Sequence, residues 1–420
     1  MGHPDPRVSI VIVDFKGQRF LGPLFESLSV QSYGDFEVVV VDNEGSLTLP
    51  DDLCDHRIRK INAEENLGFA GGCNLGVQEA QGELIVFLNN DTVVDENWLD
   101  KLVHRVDSDL SLSVIVSKVL FFPKYVSLKI NSPIFNPNET GLSDDNRRLG
   151  VRVLFGHDWS ESTGVLSVAG FHGIEKDGDE EWRWSEGNAE LWVPLSYGKG
   201  EAFELVVDTP IELLGKDLNI RIGAQERNIV IDGGRHALAF ELRDDEIFDV
   251  VNSAGSDLTD KGLCEEIGIY EIDSEKHGIA REVSAFSGCS VLVRKEVFEE
   301  LSGFDAAFFA YYEDTDLSWR IRKRGGKIFY EPQSVARHHR SSTSGEQSAF
   351  FCFQIYRNKR WNIVKNASFR TVIILLFKEL CSGIPNSVIV DVEYSAMRLK
   401  RETLVGMLKY LLRRIFVPNL

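Results

Sequence analysis

Residues 36–43 read FEVVVVDN, a run of four valines closed by an acid and an amide. Four β-branched residues in a row suit a strand buried on both faces, as in a parallel sheet. Val8–Val13 and Leu84–Leu88 repeat the pattern, and helical stretches lie between, near Phe20–Val30 and Gly72–Ala80. Strand and helix in alternation predict a doubly wound α/β sheet, with its ligand crevice at the carboxyl ends of the strands. Each apolar run here ends in polar residues: Asp14 after the first, Asp42-Asn43 after the second, Asn89-Asn90-Asp91 after the third.

Outward from that core the texture changes. From about Phe121, short alternating stretches (Ala189–Leu195, Ala202–Val207, Leu218–Ile222, Asn228–Ile231, Ala237–Leu242) are divided by Gly, Asp and Asn turns. This spacing predicts an all-β sandwich over 121–283. Two segments, beginning INS at Ile130 and VNS at Val251, share a pattern and read as equivalent strands of it. The buried-strand signal returns at Ser284–Val293, so the α/β domain is expected to span 1–120 and 284–349, interrupted by the insertion. The rest, 350–420, reads as a helical tail.

With 420 residues, 43% hydrophobic and 26% charged, the chain is globular and long enough for two or three domains. No apolar run approaches the ~20 residues of a spanning helix. The N-terminus has no secretory pattern, and six scattered cysteines show no metal-type spacing. A reduced cytoplasmic protein is expected. The net charge is −19, with 15 basic against 31 acidic residues over 121–280 but 12 basic against 4 acidic over 351–420. That distribution excludes a nucleic-acid-binding main domain. The tail combines Met397, Leu404, Leu408, Leu411 and Ile415 with Arg and Lys at 398, 400, 401, 409, 413 and 414. It suits either peripheral contact with an anionic membrane surface or packing on its own domain.

Several residues carry chemical potential, each with a plainer alternative. Asp42 could accept hydrogen bonds from a ribose or base, or merely cap a turn. The stretch ENLGFAGGCNLG, 65–76, places three glycines within five positions ahead of a helix, a geometry that lets backbone N–H groups approach phosphate. Asp91 in LNNDT could hold Mg²⁺ or Mn²⁺ against a diphosphate. Glu313-Asp314-Thr315-Asp316 opens a helix whose dipole favours acids, yet three carboxylates in four residues exceed what capping needs. One of them could act as general base. His338 or His339 could complete a metal shell.

Taken in order, VSIVIVDFKG, QSYGDFEVVVVDN, ENLGFAGGCNLG, ELIVFLNNDT, GFDAAFFAYYEDTDLSWR and the His338 region resemble a family 2 inverting glycosyltransferase of the GT-A fold. The resemblance is in particular to rhamnosyltransferase-like enzymes of bacterial surface polysaccharide synthesis. The resemblance covers about 1–120 and 284–365. It implies transfer of a sugar, rhamnose among the candidates, from a dTDP- or UDP-linked donor to a glycan or lipid-linked acceptor at the cytoplasmic membrane face. It implies a divalent cation, Mg²⁺ or Mn²⁺, held by Asp91 and His338, with His339 a rival for the latter role. Asp314 matches the catalytic base, with Glu313 beside it. Asp42 would hold the nucleotide, and Asp14, Asn43, Asn66, Gly68, Gly71, Asn74 and Asn90 complete the nucleotide-sugar set.

Two departures stand out. Asn89 occupies the first position of the family's D-x-D motif, and Asp14-Phe15-Lys16 replaces its usual Asn-Tyr-Asn. Asn89 favours a second reading, a non-catalytic glycan-binding protein on a transferase scaffold. A nucleotidyltransferase fits worse, since the first strand is not followed by a Gly- and Arg-rich loop. Within the insertion, Trp182 and Trp184 are candidates for stacking on sugar faces, or for filling the sandwich core.

Overall fold

The computed structural model describes residues 5–49, 57–154, 164–178, 180–195, 202–242, 247–259, 264–339, 348–381 and 396–416. It divides into two compact units, 1–122 with 251–420, and 123–250.

The α/β unit begins with β1 (Val8–Asp14), α1 (Gln18–Ser29), β2 (Phe36–Asp42), β3 (Ile58–Asn62), α2 (Gly68–Glu79), β4 (Leu84–Leu88), β5 (Thr92–Val94), α3 (Trp98–Ser108) and β6 (Leu112–Phe121). β2 is buried along its whole length, as the valine run requires. It pairs in parallel with β1 and β3, and β1 with β4. The register sets Asp14 opposite Asp42, so the polar strand ends share one edge.

The inserted unit contains β7 (Tyr125–Asn131), β8 (Arg152–Leu154), β9 (Leu166–Asp177), β10 (Glu180–Pro194), β11 (Ala202–Asp208), β12 (Asp217–Ile222), β13 (Gln225–Val230) and β14 (Arg235–Glu241). It is all antiparallel, as the alternating pattern predicts. Its eight described strands are bonded into one continuous sheet rather than two. The long β10 accounts for this: residues 182–184 pair with β8 while 188–194 pair with β7, with register shifts against β9 between. Inward residues of both halves, including Leu128, Val153, Leu191, Leu205 and Ile220, form a single core.

The chain re-enters the first unit with β15 (Val251–Ser253), β16 (Ser256–Leu258), β17 (Cys264–Glu266), β18 (Arg281–Val283), β19 (Ser290–Arg294), α4 (Lys295–Glu300), α5 (Glu313–Lys323), β20 (Lys327–His338), α6 (Ala349–Asn366), α7 (Phe369–Cys381) and α8 (Ala396–Phe416). The insertion therefore ends near 250 and not at 283. The segment opening VNS is β15, which pairs with β6 of the main sheet, whereas Ile130-Asn131 belongs to β7. The two segments are not equivalent strands. Short polar loops made 251–283 look like sandwich, but Val251 and Ala254 are fully buried in the α/β core.

The completed main sheet runs β18-β20-β6-β19-β4-β1-β2-β3. Helices α1 and α3 cover one face through Leu24, Phe25, Trp98 and Leu102. Helices α2 and α5 cover the other through Cys73, Val77, Leu317 and Ile321. Alternate residues of β1 serve the two cores, Ile10 and Ile12 facing one and Val11 the other, which is why a continuous apolar run was needed.

Candidate active site

The carboxyl ends of β1, β2 and β4, the N-terminus of α5 and the end of β20 surround a cavity of about 810 Å³. Asn43, Asn66, Gly68, Asn90, Asp91, Glu313, Asp314 and His338 line it. These are eight of the residues expected from the sequence.

Asp314 sits in the first turn of α5. Its Oδ2 accepts from the Gly288 N–H at 3.1 Å and its Oδ1 from the Thr315 N–H at 2.6 Å. Burial pushes its carboxyl above the ordinary range, and these N–H groups only partly pull it back. Glu313 is buried, with an Oε2 that has no hydrogen-bond partner among the described residues. Burial, and then the neighbouring Asp314 charge, push its carboxyl well above the ordinary value. The third acid, Asp316, has a different role. It bonds Arg320, Lys365 and Asn366 at 2.7–2.9 Å, tying α5 to α6.

The loop ahead of α5 is strained. Phe309, Tyr311 and Tyr312 have φ of 65°, 69° and 73°, left-handed values unusual for bulky side chains. Asn358 of α6 holds that loop. Its fully buried amide donates to the carbonyls of Phe308, Ala310 and Tyr311, each at 2.8 Å.

At the end of β20, His338 Nε2 lies 3.1 Å from Asp91 Oδ1 and 3.3 Å from Asn89 Nδ2, and its Nδ1 is 3.1 Å from Asn252 Oδ1. Burial alone would lower the imidazole; Cys289 and Asp91 more than reverse this and hold it well above its ordinary value. His339 points elsewhere, stacked on Phe122 with ring centroids 3.6 Å apart. The structure thus brings the ring of His338, rather than that of His339, to the Asp91 carboxylate, while the His339 N–H donates to the Asp91 carbonyl at 2.9 Å.

Other expected residues act one layer away. Asp42 is fully buried and lies outside the cavity lining. Its carboxylate accepts from the N–H groups of Glu44, Gly45 and Leu47 and from Lys60. Burial would raise it, but those bonds hold it below the ordinary value. It shapes the loop after β2. Asp14 accepts from Asn90 at 2.7 Å and is itself pushed up by burial, so it positions a lining residue.

The glycine-rich stretch is built chiefly for close packing. A Cβ on Gly68 (φ 69°) would lie 2.4 Å from the Phe309 carbonyl, and one on Gly76 would lie 2.4 Å from Val11. The Ala70 N–H donates to the same Phe309 carbonyl. Gly71 and Asn74 are absent from the lining; Asn74 bonds Phe304 through both its amide atoms, bracing α2 against that segment. Asn43 and Asn66 hold the turn together by a 2.9 Å bond.

The cavity also contains residues that sequence reasoning missed. Asn252 and Glu266 come from the segment assigned to the insertion, and Phe350, Phe351 and Ile355 come from α6. In the inserted unit, Trp182 and Trp184 are half-buried on one face of β10, each about 5.5 Å from the Arg152 guanidinium.

Residues 9–160 fit the family model described as Glycosyl transferase family 2. The match covers 152 of the 420 residues, and the mixed α/β sheet is the one the GT-A resemblance implies. The chain is 29% identical over 189 residues to Glycosyltransferase GlyG of Streptococcus pneumoniae, covering 43% of this chain and 60% of GlyG. It is 36% identical over 123 residues to the O-antigen biosynthesis protein RfbC of Myxococcus xanthus, 28% of this chain and 10% of RfbC. Over 69 residues it is 38% identical to an N-acetylglucosaminyl-diphospho-decaprenol L-rhamnosyltransferase of Mycobacterium tuberculosis, 16% of this chain and 22% of that protein. The chain thus spans less than two thirds of each. Among solved structures, GalNAc-T7 with UDP, GalNAc and Mn²⁺ aligns over 99% of this chain and 58% of its own, at 12% identity and a TM-score of 0.44. That likeness is too loose to assign any residue a role.

Proposed function

We propose that the α/β unit catalyses inverting transfer of a sugar from a nucleoside diphosphate donor to a hydroxyl of a glycan or lipid-linked acceptor. The observation that carries this reading is Asp314, a half-buried carboxylate on the cavity wall whose two oxygens are oriented by Gly288 and Thr315. It shares that cavity with Asn89, Asp91 and His338.

Asp91 Oδ1 and the Asn89 amide lie within 3.3 Å of His338 Nε2. The described residues hold no cluster of three His, Cys, Asp or Glu around one point, and Asp91 and His338 are the residues that would hold a divalent cation. Such an ion, when bound, neutralises charge on a departing diphosphate. The protein's own groups supply the rest. Asp314 takes the proton from the acceptor hydroxyl as it approaches the anomeric carbon opposite the leaving group, giving inversion in one displacement. Glu313 lies beside Asp314 on the cavity lining, with one carboxyl oxygen that has no hydrogen-bond partner among the described residues. The aromatic wall of Phe309, Tyr311, Phe350 and Phe351 excludes water and offers faces on which a sugar can stack.

Rhamnose and a polyprenyl-linked acceptor are favoured by the 69-residue likeness to the decaprenol rhamnosyltransferase. The test is calorimetric titration with UDP-, dTDP- and GDP-sugars, with and without Mn²⁺. Metal-dependent binding of one donor supports the reading, and no donor binding in the presence of metal contradicts it. The alternative of a non-catalytic glycan binder draws on Asn89, and predicts glycan binding without turnover.

A further inference from the structure

Among the described residues, helices α7 and α8 pack on α6 through one side. Val372, Met407 and Tyr410 join Phe308, Trp361 and Val364 in a closed cluster, and Thr403 is fully buried on the same side of α8. The outward sides are apolar as well. On α8, Met397, Val405, Leu408, Leu412 and Ile415 are exposed, Met397 to 83% and Val405 to 63%. At ~100° per residue these five fall within about 80° of the helix circumference. On α7, Phe369, Ile373, Ile374 and Phe377 are exposed, Phe377 to 69%. Nine of the twenty exposed large apolar side chains among the described residues therefore lie on two helices that hold 34 residues. Scattered exposure needs no explanation, but concentration of this kind marks an interaction surface. The Arg414 guanidinium lies 4.5 Å from the Phe369 ring, so the end of α8 carrying Ile415 meets the start of α7.

Charge identifies the partner. The two helices carry eight Lys and Arg against two acids. Both acids are turned into ion pairs: Glu379 with Arg360, and Glu402 with Arg357 and Arg398. This cationic, apolar surface belongs to a chain of net charge −19. A second copy docking by the same face would set its basic rim against an identical one. An anionic bilayer complements both features, burying the apolar stripes while Lys and Arg reach the headgroups.

We propose that α7 and α8 form a membrane-docking surface whose exposed apolar stripes insert at the headgroup boundary of an anionic bilayer. The surface stands apart from the catalytic cavity, so its test does not depend on transferase activity. The full chain is to be sedimented with phosphatidylglycerol–phosphatidylcholine vesicles and with phosphatidylcholine vesicles alone, at low and high salt. Binding is expected on the anionic vesicles, weakened about tenfold by high salt or by their replacement. The triple variant Val405→Glu, Leu408→Glu, Leu412→Glu changes only exposed positions and is expected to lose at least about tenfold in partitioning. A second variant, Lys409→Glu with Arg413→Glu, tests the basic rim independently. Equal partitioning of wild type and both variants overturns the proposal. So does light scattering that finds a dimer without vesicles which the triple variant converts to monomer, since the occupant is then a second copy.

Discussion

Replacing Asn358 with leucine removes the amide that holds the loop before the catalytic helix, while nearly preserving its volume. Two carbonyls, those of Ala310 and Tyr311, lose their bonds to it, and that of Phe308 retains a 3.3 Å contact from Arg357. At ~1–3 kcal/mol for each buried bond broken on one side, the loss of stability is about 2–6 kcal/mol. The loop has reason to relax once released, because each of its three positive-φ residues costs on the order of 1–3 kcal/mol. Relaxation moves Glu313 and Asp314, which follow Tyr312 directly. A displacement of ~1 Å at a reacting group costs about 10²-fold in rate. Urea denaturation should show a lower midpoint with an unchanged slope. Turnover should fall ten- to a hundredfold (roughly the range that misplacement implies) with little change in donor KM. A variant with the wild-type midpoint and turnover within twofold would refute the clamp.

Other outcomes follow from the same geometry. Asp314 works as a base only when ionised, and burial raises its pKa, so turnover is lost as pH falls through a midpoint above the usual ~3.9. Because Glu313 adjoins it, that limb belongs to the pair; a log kcat profile flat down to pH 4 contradicts the assignment. Asn89→Asp adds a carboxylate beside Asp91 and His338, and Mn²⁺ affinity measured by calorimetry should rise on the order of tenfold; unchanged affinity removes residue 89 from the site. Gly68→Ala forces a Cβ to within 2.4 Å of the Phe309 carbonyl at a φ of 69°, and should cost at least about 1–2 kcal/mol in urea unfolding. An unaffected midpoint means that the approach relaxes freely.

What could be read in the sequence was whatever depends on local pattern. The valine run of β2 could only be buried in a parallel sheet, and strand ends with polar residues place a crevice by topology alone. Residues adjacent to those ends, such as Asn90 and Asp91, line the cavity for that reason. Function in a buried layer was harder to read. Asp42 and Asn74 have chemistry suited to a ligand, yet backbone N–H groups and the Phe304 segment satisfy them first. The partner of Asn74 lies 230 residues away, and no local spacing reveals that. Those of Asp42 lie within 18 residues, in a loop and a strand whose geometry the sequence pattern does not show. The boundary at 250 was hidden for a related cause: β15 and β16 are three-residue strands, too short for a period to show. The aromatic wall was missed because Phe350 and Phe351 sit in a helix whose apolar residues are spread around it, with no single stripe to mark a face.

The central claim, that Asp314 is the base of a sugar transfer, is tested most directly by Asp314→Asn. Donor binding by calorimetry and turnover by nucleoside diphosphate release should be measured on the same preparation. The account predicts donor affinity within about threefold of wild type and turnover reduced at least ~10³-fold, since the isosteric amide keeps the cavity but cannot accept the proton. Wild-type turnover in the variant would contradict it.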